Sequence, residues 1–225
     1  MKLLAFCILS SLFAPGSALT YAVDSSSLVS VATYTKARSE GFTKAIIRIY
    51  EEACGIGGEV DPNFLQTYKN ARTAGYTDID AYWFPCNGLS NSCKSYAQQL
   101  AEISGVLKAN SLKIGTLWLD IEQDAAICNN WNYGAAGNLA QAEALVAAVR
   151  SSGVKYGIYS SSGEWSTVFG SKSVVLDNTA PLWFAAWNNV ESVTLSTPFG
   201  GWTTAVGHQY TDVSASGQFD LNVFA

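Results

Sequence analysis

Apolar residues along this chain fall into short runs separated by stretches with helical spacing. Residues 20–23, 44–50, 79–84, 114–121 and 155–160 read as strands, and 29–38, 62–74, 92–109 and 138–151 carry apolar positions three and four apart. Punctuation supports the helices. Asp61-Pro62 supplies a cap followed by proline at the first helical position, and Gly75 closes that segment. Asn138 is placed to cap the segment whose apolar stripe is Leu139, Ala142, Leu145, Val146 and Val149, with Gly153 behind it. Alternation of this kind predicts βαβ units and a parallel sheet. Beyond residue 160 the rhythm changes: 181–187, 205–211 and 219–224 read as strands, with turn-rich intervals and one short helix near 163–169. Eight strands and about five helices predict an α/β fold, a single incomplete TIM-like (β/α) barrel. The competing doubly wound sheet lacks a glycine-rich loop after its first strand, where Val23-Asp24-Ser25-Ser26-Ser27 stands, so nucleotide binding has no support.

The amino terminus changes the picture of where the chain works. Lys2, the apolar run 3–13 and the small residues Gly16-Ser17-Ala18 read as a signal peptide over 1–18, leaving one domain over 19–225. No later stretch reaches transmembrane length, so no membrane insertion is expected. The expected destination is secretion, or a lysosome or phagosome lumen, for a protein acting as a monomer. Loss of Lys2 leaves 12 basic against 18 acidic residues, a net charge of −6, which excludes a basic nucleic-acid footprint.

Cys7 leaves with the signal segment, and four cysteines remain. An even number in an exported chain implies two disulfides with three possible pairings. Cys86 and Cys93 bracket the turn-forming loop NGLSNS and are favoured as one pair, which assigns Cys54 to Cys128 by default. With no C-x-x-C pair and a lone, remote His208, neither a metal nor a cofactor is expected.

The candidate chemistry centres on LWLDIEQD at residues 117–124. Side chains alternate along a strand, so Trp118, Asp120 and Glu122 share one face while Leu119 and Ile121 share the other. Two acids on one face of an apolar strand repel and are partly desolvated, which separates their pKa values into an acid form and an ionised form, as glycoside hydrolysis needs. An isolated D-x-E is more often a solvated strand end. Here, however, Asp24 ends the first strand and Asp220 sits on the eighth, so a closed barrel gathers four acids at the face where such barrels build their sites. Tyr50, Tyr82, Trp187 and Gln209 also fall at strand ends and are the candidate substrate-binding residues, Tyr82 and Trp187 as stacking platforms for sugar faces. Trp83, Phe84 and Trp183 are assigned to packing.

These residues lie in a recognisable order. YAVDSSS at 21–27, IIRIY at 46–50, DAYWFPC at 80–86, LWLDIE at 117–122, YGIYSS at 156–161, PLWFAAW at 181–187 and HQYTD…FDLNVF over 208–224 cover essentially the whole mature chain. The chain resembles the family 25 glycoside hydrolases, the Chalaropsis-type lysozymes, and within them the shorter Entamoeba- and nematode-type branch. The resemblance implies hydrolysis of the β-1,4 bond between N-acetylmuramic acid and N-acetylglucosamine in bacterial peptidoglycan, for defence or for digestion of bacteria. It implies Glu122 as general acid, with Asp120, Asp24 and Asp220 as supporting carboxylates. One departure is Asn188 after Trp187, where many relatives carry a tyrosine–acid pair. Two alternatives remain open: a non-catalytic peptidoglycan-binding barrel, and a chitinase-like hydrolase. The latter lacks the longer D-x-x-D-x-D-x-E run, because Trp118 and Gly115 occupy its positions.

Overall fold

In a computed structural model, which describes residues 18–124 and 128–225, the chain forms a closed barrel with helices packed outside it. The signal-peptide expectation and Cys7 lie outside the described residues.

The elements run β1 (Thr20–Ser25), α1 (Val31–Ser39), β2 (Lys44–Glu51), β3 (Glu59–Val60), α2 (Phe64–Thr73), β4 (Asp78–Trp83), α3 (Tyr96–Ala109) and β5 (Leu117–Asp120). They continue α4 (Gly134–Ser152), β6 (Tyr156–Ser160), α5 (Ser162–Phe169), β7 (Leu182–Ala185), β8 (Gly207–Thr211) and β9 (Asp220–Phe224). The sheet order is β1-β9-β8-β7-β6-β5-β4-β2-β3, and pairing of β1 with β2 closes an eight-stranded ring to which β3 adds a short antiparallel flap. The expected barrel is therefore present, with one strand too short to read from sequence.

The ring is not wholly parallel. β9 runs antiparallel to both β8 and β1. Only residues 212–219 link β8 to β9, too few for a parallel crossover, which takes a dozen residues or more. Because β9 is reversed, its first residue, Asp220, lies level with Asp24 at the mouth formed by the carboxyl ends of the parallel strands.

Two expected caps differ. α2 begins at Phe64 after Asn63; Asp61 instead accepts the Asn63 amide at 2.7 Å and pairs with Arg48 Nε at 2.6 Å. α4 begins a turn early, at Gly134, and Asn138 is buried inside it, donating to the carbonyls of Trp131 and Val168 at 2.6 and 2.7 Å. Asn138 thus ties helix α4 to its neighbours. Gly153, in the left-handed region at φ 73°, ends α4 as the sequence suggests.

Strand alternation sends Leu117, Leu119 and Ile121 outward into the layer shared with the helices, and Trp118 inward. Inside the ring Ala22, Ile46, Trp118, Tyr159, Trp183 and Phe224 form a second small core. Trp118 and Trp183 meet edge to face at 5.7 Å. Gly157 and Gly207 make room for these rings: a Cβ on Gly157 would stand 2.3 Å from the Trp118 indole, and one on Gly207 2.3 Å from the Phe224 ring. At the amino-terminal end Asp80 accepts Lys44 Nζ at 2.8 Å, Thr116 N at 2.8 Å and Trp118 Nε1 at 2.9 Å. These bonds tie β2, β4 and β5 together at the amino-terminal end, where Lys44, Asp80, Trp118 and Phe224 line a cavity of about 310 Å³; the candidate acids lie at the opposite mouth.

Cys54 is bonded to Cys128 and Cys86 to Cys93. The first bond fastens the loop after β5 to the end of β2.

Candidate active site

At the mouth, Asp24, Tyr82, Asp120, Glu122, Tyr159, Trp183, Gln209 and Asp220 line a cavity of about 70 Å³. A more open cleft of about 300 Å³ adjoins it, lined by Glu122, Tyr159, Ser161, Glu164, Ala185, Ala186 and Trp187. Glu122 and Tyr159 belong to both. Six of the eight residues picked out from sequence as catalytic or substrate-binding, Asp24, Tyr82, Asp120, Glu122, Gln209 and Asp220, therefore share one cavity, and Trp187 stands in its neighbour.

Tyr50 is the exception. It is buried in the helix-facing layer, where its hydroxyl donates to Glu102 Oε2 at 2.9 Å. Strict alternation after Ile46 and Arg48 would turn it inward, but the β2–β4 register shifts between Arg48 and Tyr50, and such a bulge rotates the following side chain to the other face.

The acids differ in surroundings. Asp24 is buried and accepts Asn222 Nδ2 at 2.6 Å and Gln209 Nε2 at 3.0 Å. Burial raises it to about 6, and these two donors hold it from rising further. Burial, then the nearby charges of Asp24, Asp212 and Glu122, raise Asp220 to about 8. Glu122, beyond the last hydrogen-bonded residue of β5, is raised to about 7 by burial and by Glu164, Asp24 and Asp124. Asp120 is 3% exposed, and its Oδ1 has no hydrogen-bond partner among the described residues. Burial, reinforced by Glu122, pushes it well above the usual carboxylate range despite the opposing charge of Arg48. These surroundings favour the protonated form of Asp120. Glu122, which the resemblance implies as the general acid, is raised as well. A substrate N–H donated to Oδ1 would favour the ionised form and pull Asp120 down.

Gln209 does not reach for a ligand. Its Oε1 accepts Tyr159 OH at 2.8 Å and Trp187 Nε1 at 2.9 Å, while Nε2 donates to Asp24 at 3.0 Å and Asp220 at 3.2 Å. With all four bonding positions used, Gln209 joins the indole of Trp187 to the acid cluster. Trp187 is held by its edge and remains 60% exposed, so its ring is offered to the cleft. Asn222 extends the network by accepting Trp183 Nε1 at 2.8 Å. Burial keeps the Tyr82 and Tyr159 hydroxyls protonated, with pKa values well above 10. Three functional candidates, Tyr159, Asn222 and Glu164, escaped the sequence reading. For Asn222 the signal was present, since it alternates with Asp220 on one strand. His208 faces outward, stacked on Phe184 at 4.2 Å, with its ring nitrogens against the carbonyls of Ser192 and Ala186.

The acid cluster fixes a sign for stability. Each of the four has a folded pKa above its value in an open chain, so between about pH 4 and 8 the folded state binds more protons than the unfolded state. Their contribution is most favourable below pH 4 and is lost as pH rises through 6 to 8. Thermal melts at matched ionic strength should show a Tm at pH 5 higher than at pH 8 by about 5 °C or more. A flat or reversed dependence would contradict the burial of this cluster.

Comparison with known proteins bears on the arrangement. A family model described as lysozyme-like protein 1 matches residues 16–210. The chain is similar to lysozyme-like protein 5 of Caenorhabditis elegans, at 38% identity over 88% of this chain and 86% of the relative. It is similar also to a probable GH family 25 lysozyme 2 of Dictyostelium discoideum, at 35% identity over 89% and 88%. Among solved structures, a family GH25 lysozyme from Aspergillus fumigatus superposes with a TM-score of 0.70 at 18% identity, covering 92% of this chain and 94% of that one, a likeness of fold.

Proposed function

From the premise that this chain belongs to the glycoside hydrolase family 25 lysozymes, we propose that it is a muramidase. Its substrate is bacterial peptidoglycan, cut at the β-1,4 bond between N-acetylmuramic acid and N-acetylglucosamine. The observation that carries this reading is the pair of adjoining cavities with Glu122 at their junction. A glycosidic oxygen must lie between two sugars, so its proton donor must stand between two subsites. Glu122 does, and at about 7 it holds its proton across mildly acidic pH. Asp120 lies only in the deeper cavity, where its unpartnered Oδ1 suits an acetamido N–H of the sugar that undergoes cleavage. Asp24 and Asp220, fixed by Gln209 and Asn222, surround that sugar with groups that can accept from its hydroxyls or stabilise developing positive charge. Trp187 offers its ring to the leaving sugar.

The residues 1–18 direct export in this reading, and the two disulfides suit an oxidising compartment, outside the cell or in a lysosome-like lumen. Defence against bacteria or their digestion follows from the substrate.

Digestion of purified peptidoglycan, followed by borohydride reduction and identification of the new reducing ends, tests the activity. N-acetylmuramitol is expected. New N-acetylglucosamine ends alone, or turnover of chitin without peptidoglycan, would overturn the assignment.

A further inference from the structure

Helix α5 opens with Ser161-Ser162-Gly163-Glu164, a pattern in which serine caps the helix and the glutamate commonly reaches back to the serine's own amide. The serine half is made: Ser161 Oγ accepts Glu164 N at 3.0 Å. The reciprocal arrangement is complete at α3, between Ser95 and Gln98. At α5 the carboxylate turns elsewhere. Glu164 Oε2 accepts the backbone amide of Gln123 at 2.9 Å, 41 residues away in sequence and immediately after Glu122. Glu164 also lines the open cleft beside Glu122. The segment is secured from its other side by Asn130, which accepts Asp124 N at 2.7 Å and donates to Glu122 O at 3.3 Å. The backbone that carries Glu122 is thus clamped between a neutral amide and a carboxylate.

We infer that Glu164 is a positioning residue for Glu122: it fixes the peptide following the proton donor and places a negative charge beside it. The inference rests on the muramidase reading for its kinetic consequence but not for its structural one. The placement in the first turn of α5, where a helix end favours negative charge, supports the second role. After burial, Glu164 is the foremost influence holding Glu122 in its acid form. The other groups around Glu122 are Asp24 on β1, Asp120 on β5, Asp124 on the following loop and Asp220 on β9, with the Tyr82 and Tyr159 phenols; Arg48 on β2 acts on Asp120. Of the carboxylates in this set, only Glu164 is bonded to the amide of Gln123.

The test pairs Glu164→Gln, which removes the charge and keeps an acceptor for Gln123, with Glu164→Ala, which removes both. Carbon-detected NMR titration of the Glu122 carboxyl should show its midpoint falling by about one unit in either variant. The alkaline limb of kcat/KM on peptidoglycan should move down by the same amount. On the acidic plateau kcat should fall about tenfold further in the alanine variant than in the glutamine variant, with KM changed little. An unmoved Glu122 midpoint in both variants, or a rise in KM without any shift in the pH profile, would overturn the inference. Should the unaltered protein leave peptidoglycan intact, the muramidase reading fails, and the NMR titration still decides the role of Glu164.

Discussion

Glu122→Gln is expected to reduce peptidoglycan hydrolysis by about 100- to 10,000-fold while leaving the fold intact. Glutamine keeps the size and shape of the side chain, so both cavities that Glu122 lines are retained. What it lacks is a proton that can be given up to a leaving oxygen. The substitution also removes one of the like charges around Asp24, Asp120 and Asp220, so the variant should melt no lower than the parent near neutral pH. Initial rates on soluble peptidoglycan fragments, with a thermal melt beside them, measure both. A folded variant within tenfold of the parent would move the acid role to Asp220, which is raised to about 8 at the same mouth.

Much of this site was legible because alternation along a strand is a rigid rule. It placed Trp118, Asp120 and Glu122 on one face and Leu119 and Ile121 on the other, and in the structure the first face is the inward one. The rule failed where the backbone broke it. Tyr50 lies past a register shift in β2, and its parity flips from the cavity to the helix layer. β3 is two residues long and carries no period. Asp220 reaches the mouth for a reason the sequence reading did not contain: β9 is reversed, and a parallel strand would have left its first residue at the opposite, amino-terminal end. Side-chain networks were the least legible part. Gln209 was expected to touch substrate because it ends a strand, yet its four bonds are all spent on Tyr159, Trp187, Asp24 and Asp220, partners drawn from four other segments. Glu164 sits in a pattern that ordinarily closes on itself, and only the folded chain brings Gln123 within its reach.

Asp120→Asn should separate stability from catalysis. Asp120 is buried, its Oδ1 is unpartnered among the described residues, and burial together with Glu122 opposes its ionisation. At pH 8 the unfolded carboxyl is ionised, and folding must either take up a proton there or bury the charge; a neutral amide of the same shape removes that cost, so the variant should melt higher by about 2–4 °C, and the fall in Tm between pH 5 and 8 should shrink. Activity should move the other way, falling by about 100-fold or more. In the proposed reaction Glu122 protonates the leaving oxygen while the acetamido carbonyl of N-acetylmuramic acid attacks the anomeric carbon. Asp120, ionised once it accepts the acetamido N–H, stabilises the positive charge that spreads onto that group. Asparagine can accept the same N–H but cannot match the charge. Carboxylates two residues apart on a strand are separated by about 7 Å along it, which does not by itself select retention or inversion. Participation by the acetamido group does select: the first-formed product must keep the β configuration, readable by proton NMR before mutarotation. Inversion would eliminate that route and make Asp120 or Asp24 a base activating water. A variant that is both more stable and nearly inactive, cutting with retention at its residual rate, would show that Asp120 is held in this pocket against the interest of folding, for its effect on the transition state.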